Sequence, residues 1–272
     1  MSNCDCEKIS VLMGVYNCAR TVGEAIESIQ NQTYTNWELI ICDDGSVDET
    51  YDIAKEYEKK DRRIIVIKNE CNLGLNKTLN KCFINSSGDY IARMDGDDKS
   101  FPDRFEKEVK VLKTKRNIQL VSSPMVLFDE NGVWGKTESI EYPKAENIIE
   151  GTAICHAPVM MYRECLEKAN GYSIDKRTMR VEDVDLWLRL YGMGYRCYNI
   201  QEPLYSMRND KNALNRRKYK YRLNETYVKI NGCRELKLGF KYYLKSIKPL
   251  IVGLVPAEIR SYIRRKQYKS SL

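Results

Sequence analysis

Four short apolar runs alternate with three amphipathic segments in the first hundred residues, and this alternation constrains the fold more than any other feature of the 272-residue chain. Residues 9–15 (ISVLMGV), 37–43 (WELIICD), 63–68 (RIIVIK) and 88–95 (GDYIARMD) read as strands. The first lacks a clean in–out alternation, as a parallel strand covered on both faces does. After it, TVGEAIESIQNQ sets Thr21 and Glu24 at capping-box spacing and puts Val22, Ala25, Ile26 and Ile29 on one helical face. The stretch SVDETYDIAKEYEKK repeats the box with Ser46 and Glu49, and LNKTLNKCFINS predicts a third helix. Such alternation predicts a doubly wound α/β unit, whose ligands sit beyond the carboxyl ends of the strands. Three polar clusters fall at those ends: Tyr16–Asn17, Asp43–Asp44 and Asp95–Asp98. From 103 to about 200 the pattern loosens to a helix over 103–115, a strand over 118–123 and a helix over about 182–192, with 124–180 irregular.

Composition narrows the class. With 43% hydrophobic and 31% charged residues, the chain reads as a soluble globular protein. The net charge of +7 is unevenly placed: from Arg234 onward ten basic residues face two acidic ones, while the preceding 233 residues hold 35 basic and 36 acidic. That argues against a nucleic-acid-binding face spread over the domain. No charged-then-apolar leader is visible, and PLIVGLVPA is too short to span a bilayer. The ten cysteines are scattered, which predicts reduced thiols in a cytosolic protein; Cys4 and Cys6 resemble half a metal site without its second pair.

Asp95 and Asp97 stand at i, i+2, so an extended chain turns both carboxylates to one side. Two hard oxygen ligands at a strand end suit Mg²⁺ or Mn²⁺, which complete their shell with phosphate oxygens. A calcium loop over Asp95–Glu106 fails because Lys99 and Ser100 occupy places that need an oxygen ligand and a glycine. No P-loop and no GxGxxG fingerprint is present, which removes the ATPase and dinucleotide readings. A solvated acidic turn is the bland alternative.

The strings ISVLMGVYN, NQTYTNWELIICDDGSVDET, NLGLNKTLN, GDYIARMDGDDKSFPDRF and VEDVDLWLRL occur in order over roughly residues 8–208. Together they resemble glycosyltransferase family 2, the inverting nucleotide-sugar enzymes of GT-A fold, and most closely the bacterial members that build capsule, exopolysaccharide or lipopolysaccharide. The resemblance implies an α/β, Rossmann-like, mainly parallel sheet with a merged acceptor-binding half, followed by short C-terminal amphipathic helices. The implied division is a nucleotide-sugar half (1–101), an acceptor half (102–215) and a basic amphipathic tail (216–272). It implies a metal-dependent hexosyl- or N-acetylhexosaminyl-transferase, with a UDP-sugar donor and a glycan or lipid-linked saccharide acceptor. Gly14 stands where many members carry proline or a small polar residue, which implies a roomier donor-pocket wall.

Carried over residue by residue, the resemblance gives Asp44, beside Asp43, the uracil N–H; helix capping is the alternative. Tyr16 would stack on the base, or else tie down the sheet edge. Asp97 would bind the Mn²⁺ or Mg²⁺ that bridges the phosphates, with Asp95 supporting the metal or meeting the ribose. Arg93 shares their alternation and either points at the site or pairs with an aspartate. Asp183 would be the general base, with Glu182 as neighbour; both also suit a helix N-terminus. Trp187 reads mainly as core, with a sugar-pocket edge as the alternative, and the lone His156 as a structural histidine. Arg208 reads as a diphosphate contact or a surface ion pair. A nucleotidyltransferase would show a glycine-rich basic loop, which MGVYNCARTV lacks. A nucleotide-sugar-binding scaffold without activity would have lost Asp97 or Asp183, and both are present. In the tail, Leu236, Phe240, Tyr243, Leu244 and Ile247 recur at near-helical spacing. Pro249 and Pro256 are expected to break it into two short pieces around LIVGLV that lie on the cytoplasmic face of the inner membrane. A cap packed on the domain and homo-oligomerisation are the alternatives.

Overall fold

The computed structural model describes residues 7–151, 153–209 and 218–269; Cys4 and Cys6 lie outside them. The alternation at the N-terminus is present as β1 (Ile9–Val15), α1 (Val22–Gln30), β2 (Trp37–Asp43), α2 (Thr50–Lys60), β3 (Ile64–Lys68), α3 (Leu75–Ile84) and β4 (Tyr90–Asp95). These strands pair in parallel in the order β3-β2-β1-β4. Both faces of β1 and β2 are buried, which is why their sequences run apolar without alternation. Neither predicted capping box forms. The Thr21 hydroxyl donates to the Gly96 carbonyl, and the Ser46 hydroxyl accepts the Asn17 N–H. Both hydroxyls link loops across the sheet edge, and α2 starts only at Thr50.

The chain continues through β5 (Lys99–Ser100), α4 (Arg104–Thr114), β6 (Leu120–Ser122), β7 (Met125–Asp129), β8 (Gly132–Lys136), α5 (Ala145–Glu150), β9 (Met160–Tyr162), α6 (Arg163–Lys168), α7 (Glu182–Gly192), β10 (Cys197–Asn199) and β11 (Tyr205–Arg208). β9 enters the main sheet antiparallel between β4 and β6, so that both halves of the chain share one seven-stranded sheet, β10-β6-β9-β4-β1-β2-β3. A second sheet, β5-β11-β7-β8, leans on it through the turn between β4 and β5. The stretch read as irregular thus holds three strands and two helices. Each is only three to six residues long, too short for a periodic signal.

The tail is more structured than two amphipathic pieces. It forms α8 (Lys220–Glu235), α9 (Phe240–Ser246), α10 (Lys248–Gly253) and α11 (Ala257–Lys269). Pro249 sits in the first turn of α10, where its missing N–H costs nothing, so it opens a helix there and does not interrupt one. α8 packs on α7 and buries Val228, Gly232 and Cys233. α11 returns to the second sheet, with Arg265 paired to Asp129 at 3.0 Å and stacked on Trp134. Among the described residues no helix is long and apolar enough to cross a membrane, and all eight cysteines are free thiols.

Candidate active site

The parallel register brings the polar clusters together. Val15 stands opposite Asp43, and Gly14 lies between Cys42 and Asp95. The strand order reverses between β1 and β4, and the crevice at such a switch is where doubly wound sheets bind ligands. Gly14 itself does not face that crevice. A Cβ there would meet Leu75 and Thr78 of α3 at 3.1 Å, so the space of the missing side chain is filled by α3 and is not added to a donor pocket.

Asp44 and Asp43 have opposite surroundings. Asp44 is buried and accepts three N–H groups: Asn69 Nδ2 (2.8 Å) and Leu73 N (2.9 Å) on Oδ1, and Gly74 N (2.9 Å) on Oδ2. A carboxylate offers about four lone-pair sites, so one acceptor position remains, on Oδ2. Asp43 accepts Ser46 N–H at 3.0 Å through Oδ1, while its buried Oδ2 has no partner among the described residues. Gly45 joins the two turns closely. Its φ is +74°, and a Cβ there would collide with the Cys71 backbone at 2.7 Å. Tyr16 closes this edge with its side chain 45% exposed, outside the core.

The aspartate turn after β4 is fastened from three sides. Arg93, buried in the sheet, forks the Asp95 carboxylate with two hydrogen bonds of 2.6 and 2.8 Å. The Asp95 N–H donates to Tyr205 Oη at 3.0 Å, and the Arg208 N–H donates to Asp98 Oδ1 at 2.7 Å. Asp98 is buried, and burial beside Asp95 and Asp97 pushes its carboxyl well above the usual range. Gly96 presses on β1 so closely that a Cβ would meet Val15 at 2.6 Å. Arg208 donates through Nε to the Asp97 carbonyl (3.0 Å) and through its terminal nitrogen to Glu24 (2.9 Å). It therefore braces the turn from β11. Tyr205 has the same bracing position, and an isolated tyrosine in LYSMR carries no sequence signal for it.

Among the described residues no three Asp, Glu, His or Cys side chains form a preformed metal cage. Asp97 is half-buried at the rim of the turn, and Asp95 keeps lone pairs beyond those that face Arg93. That donor set fits a hard divalent cation that takes one or two carboxylates and finds its other ligands on phosphates and water.

Across Arg93 lies the second carboxylate group, at the start of α7. Glu182 is buried with Oε2 unpartnered among the described residues, and burial together with the adjacent Asp183 raises its carboxyl to about 7. Asp183 is half-buried; its Oδ1 accepts the Val184 N–H at 2.8 Å, and burial raises its carboxyl too. Glu225 of α8 adds repulsion, though Lys229 (2.9 Å) and Arg222 (3.1 Å) bind it. α8 thus contributes to the surroundings of Asp183, which composition alone did not reveal. His156 bonds Tyr172 Oη at 2.9 Å and meets the Trp187 ring edge-on at 5.8 Å. Burial near Arg93 drives its basicity down, so it is a neutral structural residue. Trp187 is 2% exposed and lies in the core.

Comparison with known proteins agrees with this arrangement. The family described as "Glycosyl transferase family 2" matches residues 10–169. A putative glycosyltransferase, EpsE, of Bacillus subtilis is 44% identical over 96% of this chain and 94% of its own. A UDP-Glc:alpha-D-GlcNAc-diphosphoundecaprenol beta-1,3-glucosyltransferase, WfaP, of Escherichia coli is 31% identical over 71% of this chain and 74% of its own. Among solved structures, S. aureus TarS 1–349 in complex with UDP-GlcNAc superposes with a TM-score of 0.69 at 16% identity, covering 91% of this chain and 71% of that one. The mannosyltransferase PcManGT from Pyrobaculum calidifontis in complex with GDP-Man and Mn²⁺ gives 0.63 at 16% identity, over 97% and 82%. With the family matched over more than half its length and this layout of sheets, the chain belongs to glycosyl transferase family 2 and has the GT-A fold.

Proposed function

We propose that the protein is an inverting, cation-dependent transferase that moves a hexosyl or N-acetylhexosaminyl group from a UDP-sugar to a hydroxyl of a lipid-linked or growing glycan in bacterial surface polysaccharide synthesis, such as capsule. One observation carries the reading: the strand register brings Asp43, Asp44 and the Asp95–Asp97 turn to one edge, and a second, buried carboxylate pair stands across Arg93 from it. The UDP donor and the lipid-linked acceptor are supported by the printed activity of the Escherichia coli relative, and the cation by the Mn²⁺ named with the Pyrobaculum structure.

In this reading Tyr16 offers its exposed ring to the base, and the free acceptor position on Asp44 takes a ring N–H. Asp97, with Asp95, would hold Mn²⁺ or Mg²⁺, whose chemistry when bound is to neutralise charge that grows on the departing diphosphate. Arg93 keeps Asp95 fixed in rotamer and charge. Asp183 accepts the proton of the acceptor hydroxyl, on the side opposite the leaving nucleotide, as an inverting displacement requires. Its raised affinity for a proton makes it a better base than an ordinary surface aspartate, and Glu182, held neutral by burial, adds less repulsion than a charged neighbour. The basic C-terminal helices support peripheral attachment to the cytoplasmic leaflet, near a lipid-linked acceptor.

The test is a panel of UDP-sugars, with GDP-mannose for comparison, measured for thermal stabilisation and for UDP release with Mn²⁺, Mg²⁺ or EDTA. A cation-dependent rise in melting temperature with at least one UDP-sugar is expected. Stabilisation by none of them would sink the donor assignment, and stabilisation without UDP release on supplying acceptor extracts would favour a binding scaffold.

A further inference from the structure

The C-terminal helices leave a regular apolar stripe in solvent. Phe240, Leu244, Ile247, Ile251 and Leu254 recur every three or four residues across α9 and α10 and are 40–77% exposed. This is not the side on which the helices pack. Tyr242 and Tyr243 turn inward to the core, Ser246 bonds the Tyr242 carbonyl, and Pro249 is buried. Beside the stripe run Lys237, Lys241, Lys245 and Lys248, all exposed, and residues 236–257 contain no acidic residue. The stripe leads toward the catalytic carboxylates. At its far end α10 meets Tyr219 and Arg222 of α8, within 2.9–3.2 Å of a Cβ placed on Gly253. Asn224, one turn further along α8, donates to the carbonyls of Lys176 and Met179. Exposed Leu223 and Met179 carry the apolar surface to within four residues of Asp183.

We infer that this face lies in the interface of an anionic lipid bilayer, with the start of α7 turned toward the membrane. Large apolar side chains beside lysines, with no carboxylate between them, match the interfacial layer and its negative headgroups. A second copy of the chain fits less well, because a two-fold contact would set lysines against lysines, and interface cores are depleted in that residue. The docking stands on the surface alone; only its purpose, to present Asp183 to a membrane-held acceptor, rests on the function proposed above.

The experiment is flotation of the full chain with vesicles of phosphatidylglycerol and phosphatidylcholine, or of phosphatidylcholine alone, at low and high salt. Wild type should float with the anionic vesicles at low salt. The double variant Leu244→Glu/Ile251→Glu should lose at least about tenfold in partitioning, while its melting temperature and its response to UDP-sugar stay unchanged. Lys241→Glu/Lys248→Glu should lose the salt-sensitive part. Equal flotation of wild type and the first variant, or no flotation of wild type, overturns the docking. So does a wild-type dimer in light scattering that the variant converts to monomer without any vesicle binding. Hydrogen exchange on the vesicles tests the orientation: added protection is expected over 174–181, 219–227 and 240–255 and not at Ile84, at the far end of α3. Protection confined to α9 and α10 would overturn it.

Discussion

The two carboxylate groups of the site use the same side chains under opposite electrostatics. At the β1–β4 edge, donors surround the aspartates: three N–H groups on Asp44 and a guanidinium fork on Asp95. At the start of α7, Glu182 has an oxygen with no donor among the described residues, and its nearest charges include Asp183. Donors fix a carboxylate as a permanent anion, fit to position a ligand or a cation. Burial with few donors leaves a carboxylate that wants a proton, fit to take one in a reaction. Arg93 stands between the two groups and lowers the cost of burying both.

Removing Arg93 should therefore break the comparison outright. Arg93→Ala leaves Asp95 without its fork and withdraws a cation that also favours ionised Glu182 and Asp183. The side chain is 6% exposed, so a loss of about 3 kcal/mol in denaturant unfolding is expected. The estimate sits at the low end of the range for buried pairs because Asp95, 29% exposed, can be resolvated. Unchanged stability would mean the pair is not structural.

Asp183→Asn should keep donor binding and lower turnover by roughly a hundredfold or more, about 2.7 kcal/mol of barrier. Near-wild-type transfer would move the base to Glu182 or Asp185. On the other edge, Asp97→Ala should abolish the Mn²⁺-dependent part of UDP affinity with little change in melting temperature, because a half-buried rim carboxylate adds little to the core. Cation-dependent UDP binding that survives intact would take the metal away from Asp97.

The smallest effect sharpens the contrast. A carboxyl raised in the folded state contributes stability fully below its unfolded value, near 4.3, and loses it as pH climbs toward the folded value of about 7. Glu182→Gln does not titrate, so its stability relative to wild type should improve by on the order of 1 kcal/mol between pH 4.5 and 8. Activity needs Asp183 ionised. Its acid limb should shift to lower pH in the same variant, since a neutral neighbour no longer opposes that ionisation. Parallel pH profiles for wild type and variant would show that the two carboxyls do not interact.

Much of the nucleotide half was legible because its signals are local. Strands of five to seven residues and helices of nine to eleven repeat their apolar pattern long enough to be read, and Asp43, Asp44, Asp95 and Asp97 fall at strand ends by spacing alone. The acceptor half was not legible in the same way. β9 is three residues that join the sheet only because β4 and β6 leave a gap for an antiparallel strand. In the tail, one predicted apolar stripe divides in two: Leu236 and Tyr243 pack inward while Phe240, Leu244 and Ile247 face solvent. Helical spacing sets which residues share a side, and the position of α5 and α8 decides which side is covered.

The sequence by itself determined the α/β alternation, the placing of acidic clusters at strand ends and the concentration of positive charge after Arg234, because each depends on residues a few positions apart. Only the tertiary structure decided which carboxylates are saturated and which are left wanting a proton. Asp44 takes its donors from a loop about 25–30 residues away, Asp95 is anchored by Tyr205, and Glu182 owes its state to burial beneath helices from the far end of the chain. Solvation and hydrogen-bond supply are properties of the packed neighbourhood, so no local pattern encodes them.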